Sequence, residues 1–163
     1  LHTAYRRQRQ MCIRDRADTH TLDYFDEQST LLDYQLAPFE VYERITSNPP
    51  RLVQGLFRFR DLLGYPFGIR PIQGFDSSRK SVRDGVEYVD FFELVSSDDQ
   101  SLKLASSDHH LDVLIDIQTG AVETGHQVKL TARVKCKNRI GLLYMLPVRP
   151  IHRLLVRYML QKL

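Results

Sequence analysis

The spacing of apolar residues along this chain changes period, and each change marks a new element. Leu52, Leu56, Phe59 and Leu63 recur at i, i+4, i+7 and i+11, with Val53 and Phe57 widening the same helical face. Asn48 supplies a cap, Pro49 stands where a missing N–H costs nothing, and Gly64 ends the run. A shorter helix is predicted just before it over Pro38–Thr46, with a first-turn proline and Glu40 near its positive end. A strand near Leu22–Phe25 or Leu31–Leu36 precedes both. Pro66, Gly68, Pro71 and Gly74 then forbid regular helix, and residues 75–85 read as a polar loop.

After this loop the period falls to two. Val86, Tyr88, Phe92 and Leu94 are predicted to share one face of a single strand, and Leu102 and Leu104 alternate with Lys103. Leu111, Val113, Ile115 and Ile117 alternate with Asp112 and Asp116, and a turn is predicted at Thr119–Gly120. Val128, Leu130, Ala132, Val134 and Cys136 alternate with Lys129, Thr131, Arg133 and Lys135. Short turns between such strands imply an antiparallel meander. The chain closes on a helical pattern in which Leu143, Leu146, Ile151, Leu154, Leu155, Tyr158 and Met159 supply the apolar side. Pro147 and Pro150 are expected to break or kink it. The fold class is therefore α+β, a curved antiparallel sheet wrapped around a long C-terminal helix, with two short helices after the first strand.

Charge modifies this picture at one end. Of the 23 basic and 20 acidic residues, five arginines and one aspartate lie in residues 1–16, which leaves 18 against 19. The domain itself is near neutral, so nucleic-acid binding is not expected of it. Residues 1–16 carry the run QRQMCIRDR, which looks like translated sequencing-adapter DNA from an environmental assembly; they are read as a non-native or disordered tail, and residues 17–163 as one domain. Without Cys12 the domain keeps only Cys136, so no intrachain disulfide forms, and a reducing, cytoplasmic location is expected.

Candidate chemistry is sparse. His109, His110, His126 and His152 do not make a structural zinc set, which wants cysteines at short spacing, and adjacent His109 and His110 should point to opposite sheet faces. There is no GxSxG elbow and no GxGxxG, so no cofactor or metal is expected. Asp90 would face the sheet interior if Tyr88 and Phe92 do, and a carboxylate there could serve as a general base. Arg149, Arg153 and Arg157, at i, i+4 and i+8, form a basic stripe suited to solvent, an anionic membrane surface or a partner protein.

Several segments together resemble a bacterial family, the domain-of-unknown-function family 2867. They are His110-Leu111-Asp112 in SDHHLDVLIDI; Asn138, Gly141 and Tyr144; Val148, Pro150 and His152; the terminal Met159-Leu160; and Arg60-Asp61 in the helix LVQGLFRFRDLLG. Ile151 and Leu114 depart from the family's pattern, where phenylalanine and a polar residue are expected. The element order is that of the helix-grip proteins of the START and polyketide-cyclase-like superfamily. That resemblance implies a cavity between sheet and C-terminal helix, in which Tyr144 and His152 orient a polar group. The ligand site so implied comprises Tyr88, Phe92, Val113, Ile115, Leu130, Tyr144 and His152, and its occupant is a small apolar or amphipathic molecule. Two other readings stand beside it: a cyclase, dehydratase or isomerase using Asp90, Tyr144 or His152 as acid or base, and an interaction subunit docking on a reductase or membrane through the basic helix.

Overall fold

The computed structural model of the chain describes residues 22–47, 54–55, 58, 61–62, 64–67 and 80–163. The readings of residues 1–16 as a tail and of a helix following Asn48 fall outside the described residues, wholly or for the most part. The elements run β1 (Tyr24–Leu32), α1 (Pro38–Thr46), β2 (Lys80–Arg83), β3 (Val86–Val89), β4 (Phe92–Ser97), β5 (Ser101–Ser107), β6 (Leu111–Val122), β7 (Gly125–Cys136) and α2 (Arg139–Leu160). The strands form one antiparallel sheet in the order β1-β7-β6-β5-β4-β3-β2. This is a helix-grip arrangement: a six-strand meander, the first strand added beside the last, and a final helix across the concave face.

The turns explain where the meander bends. Asp84 (φ 52°) and Gly85 (φ 75°) take the left-handed conformations of a two-residue hairpin, so β2 precedes β3 inside what reads as polar loop. A second two-residue turn, Asp90 (φ 56°) and Phe91, splits the single strand predicted over Val86–Leu94. That turn corrects the face assignment. Val89 pairs with Phe92 on the concave face and both are buried, whereas Tyr88 pairs with Glu93 on the convex face. The predicted turn at Thr119–Gly120 is also absent: β6 continues to Val122, which pairs with Gly125 across Glu123 and Thr124. Residues Leu102, Leu104, Leu111, Ile117, Val128, Leu130, Ala132 and Val134 all face inward, as their alternation requires.

Two helices cover the concave face in two clusters. Val41, Tyr42 and Ile45 of α1 join Val156 and Leu160 from the end of α2 over Leu102, Leu104, Ile117, Val128 and Leu130. The first turns of α2 bring Tyr144 and Met145 onto Leu111 and Val134. α1 starts with Pro38 in its first turn and with the Glu40 carboxylate accepting from the Ala37 N–H at 2.9 Å. α2 starts at Asn138, whose Oδ1 accepts from the Gly141 N–H at 3.0 Å and whose Nδ2 donates to the His109 carbonyl at 3.2 Å. A Cβ on Gly141 would lie 2.5 Å from the His110 carbonyl oxygen and 3.1 Å from Leu111 Cδ2. The helix start therefore closes on β6 at a distance only glycine allows.

α2 is not broken at Pro147 or Pro150: it runs through both as one helix. Each proline removes an N–H that would bond the carbonyl four residues back, on Leu143 and Leu146. Both prolines and both leucines lie on the exposed side, where those carbonyls reach solvent. The apolar side is the predicted one only in part: Ile151 and Leu155 are half-buried, and Met159 packs against the larger core cluster. Leu143, Leu146, Leu154 and Tyr158 are exposed, and Gly141, Tyr144, Met145, Val156 and Leu160 take the buried face.

Gly141→Ala must push the His110 backbone aside, so unfolding in urea should show a loss of about 1–3 kcal/mol. An unchanged midpoint would mean that the joint relaxes freely.

Candidate functional site

The inner face of β1 inverts the usual pattern. Tyr24, Asp26 and Gln28 point to α2, opposite Val134, Ala132 and Leu130 of β7, while Phe25 and Leu31 point outward and are exposed. Asp26 is nearly inaccessible. A carboxylate enclosed like this needs partners that satisfy its oxygens. Arg153 Nε donates to its Oδ1 at 3.2 Å, and Gln28 Nε2 donates to its Oδ2 at 2.8 Å. The same Gln28 amide reaches the Arg153 carbonyl at 2.9 Å, so β1 grips the helix backbone as well as its side chain.

One residue earlier on α2, His152 meets Tyr24. The rings stand edge to face with centroids 5.8 Å apart, and His152 Nδ1 lies 3.4 Å from the Tyr24 hydroxyl. That hydroxyl also lies 3.5 Å from the Arg149 carbonyl, which can only accept. Burial pushes the His152 pKa below its ordinary 6.5, and Asp26 offsets part of the effect. Burial and then Asp26 raise the Tyr24 pKa, opposed by Arg153 and Arg149. At neutral pH both rings are therefore uncharged.

Arg149 completes the group. It is half-buried rather than part of a solvated stripe, and its charge is felt at both Tyr24 and Cys136. Among the described residues its Nε, an enclosed donor, has no hydrogen-bond partner. Beside it lies an incompletely covered apolar patch of Tyr24, Val113, Cys136 and Val148, all half-buried against the Leu111–Tyr144 cluster. Ile115, next inward along β6, is also half-buried.

The predicted site residues do not all meet. Val113 and His152 are in this region, Tyr144 backs it within the apolar cluster, and Ile115 packs against the larger core cluster. Phe92 and Leu130 are buried in the larger core cluster. Tyr88 is on the convex face near the Arg83 guanidinium, so it cannot line a concave cavity. Asp90 stands in the β3–β4 turn, five strands from β1, and accepts from the Tyr42 hydroxyl at 2.7 Å. Burial and that bond raise the Tyr42 pKa. The three acid–base candidates thus do not form one constellation: Asp90 serves α1, and Tyr144 and His152 stand two turns apart on α2. Tyr24, Asp26 and Gln28 were not predicted; the one available signal is the alternation of residues 24–30, read with its polar set inward.

Among the described residues no group of three His, Cys, Asp or Glu side chains is placed to hold a metal ion. A separate cleft of about 120 Å³ at the β6–β7 turn, lined by residues including Leu36, Thr119, His126 and Val128, is smaller than the roughly 300 Å³ of a typical ligand pocket.

A family model described as "Protein of unknown function (DUF2867)" matches residues 19–159. No curated protein matches the chain. Of solved structures, the crystal structure of Ara h 8.0201 is 13% identical and covers 85% of this chain and 98% of its own, with a TM-score of 0.35. An uncharacterized protein from Rhizobium leguminosarum is 9% identical over 83% and 97%, with a TM-score of 0.28. Overlaps this loose carry no functional argument.

The His152 shift predicts a pH dependence. As pH falls through about 6.5 the unfolded chain binds a proton at this ring that the folded chain does not, so stability falls toward the lowered folded pKa. Urea unfolding between pH 7.5 and 5.5 should show a smaller loss for His152→Gln than for the unaltered protein. Equal losses would place the dependence elsewhere.

Proposed function

We propose for this chain, which belongs to the DUF2867 family, that it is a binding module for a small amphipathic molecule carrying an anionic or carbonyl end. The observation that carries the reading is the enclosed Arg149 Nε, a charged donor without a partner among the described residues. Leaving such a donor unpaired costs on the order of 1–3 kcal/mol, which an acceptor on a ligand would recover. The Tyr24 hydroxyl lies 3.5 Å from the Arg149 carbonyl and feels the Arg149 charge, and the His152 ring meets that hydroxyl, so both add neutral hydrogen-bonding groups to the region. The half-buried patch of Val113, Val148 and Cys136 offers an apolar surface for the remainder of the molecule. A few convergent polar groups at the edge of an apolar surface are the usual composition of a small-molecule site.

The acid–base reading gains no comparable support, because Asp90 is committed to Tyr42 at the far side of the sheet.

Anilinonaphthalene sulfonate, an amphipathic anion, tests the reading by fluorescence titration. We expect saturable one-to-one binding that weakens about 10- to 100-fold in Arg149→Met, the range of one charge-assisted hydrogen bond, and that persists in Leu154→Ser. Absence of saturable binding, or binding indifferent to Arg149, would overturn the reading.

A further inference from the structure

The face of α2 turned away from the sheet is itself apolar. Ile140, Leu143, Pro147, Pro150, Leu154 and Tyr158 succeed one another at intervals of three and four, which is one side of a helix. Leu154 is 68% exposed, Leu143 59%, and Leu146 beside them 60%. The line from Ile140 to Tyr158 extends about 27 Å. A helix that buries one apolar face normally keeps the opposite face polar. A contiguous exposed apolar surface of this length marks an interaction site.

Charge identifies the occupant. Residues 139–163 contain Arg139, Arg149, Arg153, Arg157 and Lys162 and no acidic residue. Arg139, Arg153 and Arg157 flank the apolar line on one side by helical position, and Lys162 follows the end of the helix with its ammonium over the Tyr158 ring. Arg153 reaches inward to Asp26 yet leaves 69% of its side chain exposed. A second copy packed through this face would set arginine against arginine with no carboxylate on α2 to relieve it. An anionic bilayer surface complements both features at once, taking leucines into the acyl boundary and cations at the head groups. Among the described residues no helix is long and apolar enough to cross a membrane, so the geometry is that of a helix lying in the interface.

We propose that the outer face of α2 seats this protein on an anionic membrane surface, with Leu143, Leu146 and Leu154 inserted and Arg153 and Arg157 at the phosphate level. The open patch beside Arg149 lies on the other side of the helix, so ligand binding and membrane seating use different residues.

The chain contains no tryptophan, so Leu154→Trp introduces a single reporter. On phosphatidylglycerol vesicles its emission should shift to the blue and be quenched by brominated acyl chains, with little change on phosphatidylcholine vesicles. In sedimentation with the same vesicles, Leu143→Ser combined with Leu146→Ser should weaken binding at least tenfold, Arg157→Glu should weaken it in a salt-dependent way, and Arg149→Met should leave it unchanged. The arginines of residues 1–16 are present in every variant, so adsorption through them alone would leave the leucine variant bound like the parent, and that result overturns the proposal. An unshifted Leu154→Trp spectrum overturns it too. So does self-association that the leucine variant abolishes without any vesicle binding, which would assign the face to a second copy.

Discussion

The approach of Gly141 to the His110 carbonyl is the contact on which the rest of the concave side depends. It leaves no room for even one additional carbon, and Asn138 clamps it from the backbone of the preceding turn. Because α2 is a single helix, the contact at its start fixes its rotation along all 22 residues. Rotation by one residue, about 100°, would displace Tyr144, Met145, Arg149 and Val156 from the places they hold against the sheet. The polar group at β1 is thus aimed by a backbone contact about two to three turns of helix away.

Two elements meet with their patterns reversed. β1 presents Tyr24, Asp26 and Gln28 to the interior and Phe25 and Leu31 to the outside. α2 has one apolar face in the core and another in the open. Between them the Asp26 carboxylate is held by Arg153 and Gln28. A buried charge satisfied this way contributes register more than net stability. It tells α2 where along β1 to sit, which an apolar interface of the same size would leave looser.

The fold was legible where one face of an element is buried and the other wet. β5, β6 and β7 alternate cleanly, and their inward residues are those the alternation names. The pattern misled in three places, each for a physical reason. Asp90 is a turn residue by virtue of a left-handed backbone rather than composition, so β3 and β4 read as one strand and Tyr88 was assigned inward. α2 carries two apolar lines, and the predicted side mixes them, taking Leu143, Leu146, Leu154 and Tyr158 from the exposed one and Met159 from the buried one. β1 hides polar groups, and apolar periodicity is blind to a polar interior. The short motifs that mark the family are easier to explain with the structure in hand. Asn138 caps, Gly141 admits the close approach, and Tyr144 fills the cluster that the approach creates. They build the joint, whereas Val148 and His152 of the same motifs lie in the candidate site.

The polar inner face of β1 also bears on how the chain comes together. Of the described strands β1 is synthesised first, yet its sheet partner β7 follows about a hundred residues later, and α2 later still. The local hairpins of β2–β7 close small loops, whereas β1 closes the largest one and joins last. An apolar strand kept waiting for that long would be exposed to wrong partners. Tyr24, Asp26, Gln28 and Thr30 can be hydrated while they wait, so the sheet's first-made strand is the one best suited to being its last-added.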